Sequence, residues 1–249
     1  MGNMDKFILG PCSVENRDLF FEVAKTLYPL MKGRDWYLKG SFDKANRTSA
    51  DADRGPGLEQ SIEIFGQLKR YLPHIKIATD VHECWQIERL AGLVDMIQIP
   101  AFLCRQTDLI MQAAQAAPVI NIKKGQWLAA EGMAYAVDKA RFSNSNCKVW
   151  VTERGSQFGT DRLIVDFRGV GVMKDFADAV ILDCTHSTQM TGQGNTGGSR
   201  ELAKRYAQAA GIFGYDGVFI EAHPNPSKAI SDSESQVELS WLKTWINTL

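Results

Sequence analysis

The chain has no long apolar run and no excess of charge of either sign. Its longest uncharged stretch of mainly apolar residues, 109–122, contains Pro118 and three amide side chains, and it is shorter than the roughly 20 apolar residues that a membrane-spanning helix needs. Lysine and arginine total 28 against 29 aspartate and glutamate residues, which leaves a formal charge of −1 and no general attraction for polyanions. We therefore expect neither a nucleic-acid partner nor a membrane partner.

A secretory signal and a disulfide pattern are also lacking. Asp5 precedes the first apolar run, and Gly10 and Pro11 interrupt that run, so the expected location is the cytoplasm. The chain has five cysteines, an odd number, and none of them lies in a CxxC motif. We expect reduced thiols, most of them packed in the core.

What is present is a regular alternation of short apolar runs with segments of helical period. The runs are candidate strands at residues 7–9, 36–38, 75–77, 96–99, 119–122, 149–151, 180–182 and 218–220. Between them apolar residues recur at helical spacing, as in Leu19, Val23, Leu27 and Leu30. Eight βα units favour a closed (β/α)8 TIM barrel of the α/β class over an open doubly wound sheet. No linker interrupts the pattern, so we expect a single domain over residues 1–249.

In such a barrel, polar residues that follow the strands meet at the C-terminal face, where barrel enzymes bind their substrates. A cationic subset of these residues consists of Lys39, Lys44, Arg47, Lys123 and Arg154. Ammonium and guanidinium groups suit phosphate and carboxylate ligands. For any one of these cations alone, exposure to solvent or pairing with a carboxylate at the rim is the favoured explanation, but five at one face weaken that explanation and make an anion site plausible.

A second set combines a thiol, an imidazole and two carboxylates: Cys12, His186, Glu221 and Asp232. Barrel closure would bring the first, seventh and eighth strands together, and such mixed ligands suit Zn²⁺, Fe²⁺ or Mn²⁺. No short metal motif joins the four, so for each residue taken alone a core thiol or a hydrogen-bonded rim residue is the favoured interpretation, and the metal site depends on barrel closure. The glycine-rich segment 192–198 predicts a loop that binds an anion, closes over the site or only connects two elements.

Eight blocks of sequence, in order along nearly the whole chain, carry a family resemblance. They are residues 39–49 (KGSFDKANRTS), 54–59 (RGPGLE), 79–83 (TDVHE), 98–108 (QIPAFLCRQTD), 121–126 (NIKKGQ), 152–155 (TERG), 183–187 (DCTHS) and 220–224 (IEAHP). These blocks resemble the signatures of the 3-deoxy-D-manno-octulosonate 8-phosphate (KDO8P) synthase family. The resemblance implies a (β/α)8 barrel that condenses phosphoenolpyruvate with D-arabinose 5-phosphate and water. The products are the eight-carbon sugar acid phosphate used for lipopolysaccharide and inorganic phosphate.

The resemblance also implies roles for individual residues. The residues expected to hold phosphoenolpyruvate are Lys39, Ser41, Lys44, Gln98, Ala101, Lys123 and Arg154. The residues expected to meet the sugar phosphate are Asn46, Arg47 and Thr48, and Arg105 is expected to reach the site of a neighbouring subunit in a homotetramer. The metal-dependent branch of the family implies a divalent cation, Fe²⁺, Zn²⁺ or Mn²⁺, on Cys12, His186, Glu221 and Asp232. Lys44, Asn46, Cys12 and His186 are expected to act in catalysis.

The sugar specificity depends on two opposing features. The sister DAHP synthases, which use erythrose 4-phosphate, carry a Lys-Pro-Arg-Thr-like run where this chain has KANR at residues 44–47, which favours the five-carbon sugar. Asp51 and Asp53, however, replace an Ile-His-Ser-like stretch near the expected sugar site. A related synthase that uses another aldose phosphate, and a barrel that binds sugar phosphates without turnover, are the alternative readings.

Overall fold

The chain folds into a closed parallel barrel. The structure is a computed structural model that describes residues 4–47, 49–157, 159, 161–190, 197–246 and 249. The barrel strands are β1 Lys6–Gly10, β2 Asp35–Lys39, β3 Ile77–Asp80, β4 Met96–Ile99, β5 Val119–Lys123, β6 Lys148–Glu153, β7 Ala179–Asp183 and β8 Gly217–His223. They pair in chain order, and β1 also pairs with β8, which closes the sheet. The predicted (β/α)8 barrel is therefore confirmed.

Helices follow the strands and cover the outside of the barrel. They are α1 Arg17–Leu27, α2 Leu58–Tyr71, α3 Cys84–Leu90, α4 Thr107–Ala116, α5 Ala134–Ser143, α6 Gly169–Lys174, α7 Arg200–Phe213 and α8 Leu239–Trp245. The side chains of Asn16 and Ser199 accept hydrogen bonds from backbone N–H groups in the first turns of α1 and α7, which satisfies donors that a helix leaves free at its start. In the described part of the chain, no helix is both long enough and apolar enough to cross a bilayer.

The structure differs from the sequence expectation at three places. The third strand begins at Ile77 rather than at Ile75, because Ile75 is buried in the preceding connection and its apolar character reflects packing alone. The helical period continues to Leu30, but α1 ends at Leu27. A two-residue strand, β9 Val237–Glu238, pairs with the end of β8 and is too short to give a sequence signal.

Side chains alternate between the two faces of each strand, and the inward-facing ones are apolar in the barrel interior and polar at its C-terminal rim. In β5, Val119 belongs to the apolar cluster inside the barrel, whereas Ile120 and Ile122 belong to the cluster between barrel and helices. Side chains of a strand alternate between its two faces, so Lys123 points to the same side as Val119 but lies at the C-terminal end. The same alternation operates in the other strands. The interior is therefore filled with apolar groups below and carries polar groups above.

Substitution of Gly10 tests whether β1 and β2 approach each other as closely as described. A Cβ atom at Gly10 would overlap the backbone carbonyl oxygen of Lys39, whereas one at Gly171 in α6 would meet open space. We expect Gly10→Ala to lower the free energy of unfolding by at least ~2 kcal/mol, because the strands must separate. We expect Gly171→Ala to raise it by ~0.5–1 kcal/mol, because alanine restricts the unfolded chain. Denaturant titration measures both, and a Gly10→Ala protein as stable as the wild type would contradict the packing described.

Candidate active site

A cavity of about 330 Å³ opens at the C-terminal ends of the barrel strands. Most of the residues predicted to bind substrate line this one cavity: Lys39, Ser41, Lys44, Asn46, Gln98, Ala101, Lys123 and Arg154. His186 and Glu221 from the predicted metal set also line it. Small-molecule sites commonly have a volume of this order or larger. The structure therefore brings the cationic set and part of the metal set to one opening.

Lys39 is held in place by two oxygen atoms, one just after its own strand β2 and one at the end of β3. Its Nζ donates to Ser41 Oγ and to Asp80 Oδ1, each at 2.8 Å, and both Lys39 and Asp80 are buried. Burial by itself would raise the pKa of Asp80, but the Lys39 ammonium and His82 hold it well below its usual range. Asp80 is therefore a carboxylate, and its hydrogen bond fixes the position of the Lys39 side chain at the cavity.

The environment of Lys123 is less favourable for a positive charge than bulk water is. Its ammonium pairs with the buried carboxylate of Asp183 and lies 3.3 Å from the centre of the Phe219 ring. Burial lowers the pKa of Lys123 to about 8, although the negative charge of Asp183 acts in the opposite direction. An anion that enters the cavity would therefore stabilise the charged form of this lysine.

Hydrogen bonds across three strands fix Gln98. Thr152 Oγ1 donates to Asn121 Oδ1 at 2.6 Å, and Asn121 Nδ2 donates to Gln98 Oε1 at 3.1 Å. All three residues are buried. Because the Gln98 carbonyl oxygen is already occupied, its amide N–H₂ group remains as a donor toward a ligand.

The second set forms a compact cluster at the junction of β1 and β8. Ligand atoms of Cys12, Glu221 and Asp232 all lie within 4.8 Å of one another. The fourth predicted ligand, His186, has its Nε2 atom 3.5 Å from Glu221 Oε1, while its Nδ1 atom lies 2.7 Å from Asp183 Oδ2. The four predicted ligands therefore meet, although His186 lies outside the tightest group.

The cluster fits a divalent transition metal. Glu221 Oε2 is buried and has no hydrogen-bond partner in the described part of the chain, which is costly for a carboxylate unless a cation neutralises it. Sulfur, imidazole nitrogen and carboxylate oxygen form a donor set typical of Zn²⁺, Fe²⁺ or Mn²⁺ sites. Burial and the Glu221 charge raise the pKa of the Cys12 thiol, and its Sγ atom donates to Asp232 Oδ2 at 3.0 Å. A bound cation would instead favour the thiolate.

Lys44 connects the cluster to the cavity. Its Nζ atom lies 3.9 Å from Asp232 Oδ2. Burial alone would lower the pKa of Lys44, but the surrounding negative groups, Glu221 and Asp232 among them, raise it well above its ordinary value. Lys44 is therefore an ammonium at neutral pH.

Asp232 is presented by a strained segment. Its backbone φ is 52°, in the left-handed region that residues other than glycine seldom adopt. Arg200 holds the segment by donating to the carbonyl oxygens of Gln236 at 2.8 Å and Ser233 at 2.5 Å. Gln236 in turn accepts from the Cys12 N–H at 3.1 Å, which ties the segment to the end of β1.

Two of the predicted substrate-binding residues, Arg47 and Arg105, do not line the cavity. Arg47 donates to Ser231 Oγ at 2.8 Å and to the Ile230 carbonyl at 3.0 Å, so it supports the segment that carries Asp232. Arg105 is exposed outside the cavity, where its backbone carbonyl accepts from Lys139 Nζ. Thr48 lies outside the described residues, as does most of segment 192–198.

Sequence reasoning missed one connecting residue, Gln189, and did not assign a role to a second, Asp183. Gln189 accepts from Arg154 Nη2 at 2.8 Å and donates to Asp232 Oδ1 at 2.7 Å, so it joins the cationic set to the metal cluster. Asp183 lies at the end of β7, where the strand pattern did mark it, but its contacts with Lys123 and His186 depend on barrel closure. No sequence signal identifies Gln189.

The sequence profile of the DAHP synthetase I family matches residues 1–249 of the chain. A protein from Wolinella succinogenes named 2-dehydro-3-deoxyphosphooctonate aldolase is 41% identical, over 97% of this chain and 97% of the relative. Relatives of the same name come from Helicobacter hepaticus, with 42% identity over 96% of this chain and 93% of the relative, and from Campylobacter jejuni subsp. doylei, with 43% identity over 99% and 97%. The similarity extends over the full barrel.

Replacement of Cys12 tests the cluster as a metal site. We expect Cys12→Ala to lower the affinity for Co²⁺ or Zn²⁺ by roughly tenfold or more and to abolish the thiolate-to-Co²⁺ charge-transfer absorption, because a methyl group cannot ligate a metal. Cys84→Ala, which removes a half-buried thiol in α3, serves as the control and should leave both unchanged. Equal metal affinity of the two variants would rule out Cys12 as a ligand.

Proposed function

The chain belongs to the DAHP synthetase I family, and we propose that it joins phosphoenolpyruvate to D-arabinose 5-phosphate. The observation that carries this proposal is a single cavity in which four cations lie beside a cluster of thiol, imidazole and carboxylates. The names of the relatives support the same chemistry. The products are 3-deoxy-D-manno-octulosonate 8-phosphate, a precursor for lipopolysaccharide, and inorganic phosphate.

The bond changes follow from the two reactants. C3 of phosphoenolpyruvate attacks the aldehyde carbon of the sugar and forms the new C–C bond. Water adds its oxygen at C2, and the phosphate leaves with cleavage of the C2–O bond, which produces the keto acid. Both substrates are anions, so the protein contributes mainly by positioning them and neutralising their charge.

The cationic residues have distinct tasks in this proposal. Lys39, Lys123 and Arg154 bind the carboxylate and phosphate of phosphoenolpyruvate, and the Gln98 amide and the backbone at Ala101 complete that part of the site. Lys44 stands between this part and the metal cluster, where its ammonium can hydrogen-bond to oxygens of either substrate. Asn46 lines the opening and contacts the sugar, and Arg47 acts indirectly by supporting the segment that carries Asp232.

Cys12, His186, Glu221 and Asp232 would hold a divalent cation. When bound, such a cation supplies Lewis-acid chemistry, by polarising a carbonyl oxygen or lowering the pKa of a water molecule. Around it the chain's own groups retain their positions, because Asp183 orients His186 and Gln189 orients Asp232.

We extend the proposal to assembly and location. Phe102 and Trp127 stack on each other near the cavity with half of each side chain exposed, and Tyr135 and Phe142 are more exposed still. Exposed aromatic side chains of this number support self-association. A homotetramer and a cytoplasmic location are parts of the proposal that come from the family resemblance alone. Light scattering of the purified protein measures the assembly.

Phosphate release from phosphoenolpyruvate tests the proposed reaction. We expect release only when D-arabinose 5-phosphate is present, its loss after chelation, and its return when Mn²⁺, Fe²⁺ or Zn²⁺ is added. Faster release with erythrose 4-phosphate would replace the proposed sugar, and Asp51 and Asp53 would then be the first residues to exchange. Binding of phosphoenolpyruvate without release under any of these conditions would contradict the enzymatic function.

Arg154→Lys tests the guanidinium geometry. Lysine keeps the charge but loses the planar donor pair and the bond to Gln189. A charge-assisted hydrogen bond contributes ~1.5–3 kcal/mol, so we expect kcat/KM for phosphoenolpyruvate to fall roughly ten- to a hundredfold. The control is Arg168→Lys, which changes an arginine that is 90% exposed, and it should have no effect. An unchanged kcat/KM for Arg154→Lys would show that Arg154 does not hold the substrate.

A further inference from the structure

The barrel contains the same arrangement of aspartate, lysine and histidine twice. Asp80, the last residue of β3, pairs with Lys39 and lies 3.3 Å from His82 Nε2. Asp183, the last residue of β7, pairs with Lys123 and lies 2.7 Å from His186 Nδ1. Both lysines face the cavity, but only the second histidine belongs to the metal cluster. Asp183 therefore contacts both a lysine of the anion site and a histidine of the metal cluster.

The Asp183 carboxylate is fully buried and its orientation is fixed. Oδ1 accepts hydrogen bonds from the backbone N–H groups of Thr185 at 3.0 Å and His186 at 2.8 Å. Oδ2 is shared, because it receives both the Lys123 ammonium and His186 Nδ1. An ionised carboxylate can only accept, so Nδ1 carries the hydrogen atom. The Nε2 lone pair is then available on the side of Glu221.

We propose that Asp183 is a positioning residue that couples metal binding at His186 to anion binding at Lys123 through its shared Oδ2 atom. The inference rests on the proposed function, since it takes phosphoenolpyruvate as the anion. Coordination at Nε2 makes the Nδ1–H group a stronger donor and draws the charge of Oδ2 toward His186. The ion pair between Oδ2 and the Lys123 ammonium therefore weakens, and less of this interaction has to be broken when Lys123 binds an anion.

The coupling has a definite sign. Phosphoenolpyruvate binds more tightly to the metal-loaded protein than to the metal-free protein. By thermodynamic reciprocity, the metal binds more tightly by the same factor when phosphoenolpyruvate is present. Direct attraction between a cation and the anion acts in the same direction, but it does not require Asp183, so a variant at this position separates the two causes.

Asp183→Asn and Asp80→Asn form a matched pair. Asparagine keeps an Oδ1 acceptor for the two backbone N–H groups at Asp183, while the charge shared by Lys123 and His186 is lost. Asp80→Asn removes the carboxylate that pairs with Lys39. The histidine next to that carboxylate, His82, does not belong to the metal cluster. Both variants remove a carboxylate that competes with phosphoenolpyruvate for a lysine, so both change phosphoenolpyruvate binding to the metal-free protein. Only Asp183→Asn is expected to change how that binding responds to metal.

The experiment is calorimetric titration of phosphoenolpyruvate into metal-free and Zn²⁺-loaded protein, with Zn²⁺ affinity measured by chelator competition. In the wild type and Asp80→Asn we expect metal to tighten phosphoenolpyruvate binding by about fivefold or more, and in Asp183→Asn by less than about twofold. Undiminished coupling in Asp183→Asn would overturn the inference and leave the proposed function intact. Failure of the wild type to bind either ligand would overturn both.

A measurement on the wild type keeps the inference testable if Asp183→Asn does not fold. The chain has four histidines, so the His186 imidazole signals can be assigned in nitrogen-15 NMR spectra with the help of His186→Gln. We expect Nδ1 to carry the proton, and its resonance to move downfield when phosphoenolpyruvate binds the metal-free protein, because Lys123 then releases Oδ2. A proton on Nε2 instead, or an Nδ1–H resonance that does not move, would contradict the proposal.

Discussion

The pairing of β1 with β8 is the constraint on which the candidate site depends. Its register places Gly10 opposite Glu221, so Cys12, two residues beyond the end of β1, comes within ligand distance of a carboxylate from the other end of the chain. The same closure requires β1 to approach β2 at Gly10, where no Cβ can be accommodated. The parallel strands all end at one face, so this single pairing also completes the ring of cations around the cavity.

Burial of charge is the second organising principle. An isolated ammonium inside a barrel is costly, and each buried lysine here has a carboxylate close to it: Lys39 with Asp80, Lys123 with Asp183, and Lys124 with Glu153 at 3.4 Å. These carboxylates fix the cations before a ligand arrives. A dianionic ligand must then compete with them for the same ammonium groups, and the affinity of the cavity for anions depends on how firmly each carboxylate holds its lysine.

The metal cluster combines rigid and strained supports. Cys12 and Glu221 stand at the ends of paired strands, whereas Asp232 lies in a left-handed conformation on a segment outside the barrel. Hydrogen bonds from Arg47 and Arg200, with Gln236 between the segment and β1, maintain that conformation. Backbone strain persists only where surrounding contacts determine it, and here they orient a carboxylate toward the thiol and imidazole.

The sequence by itself determined the repeated βα pattern, the eight strands to within a few residues and the polar positions at their C-terminal ends, because alternation and helical period are local properties. It also contained the motifs that mark the family. Tertiary structure decided what those positions contact: that Asp183 is shared by Lys123 and His186, that Gln189 bridges Arg154 and Asp232, and that Arg47 supports a segment instead of lining the cavity. These contacts join residues far apart in the chain. Which residues meet depends on barrel closure and on the path of the segment after β8, and a local sequence pattern encodes neither of these.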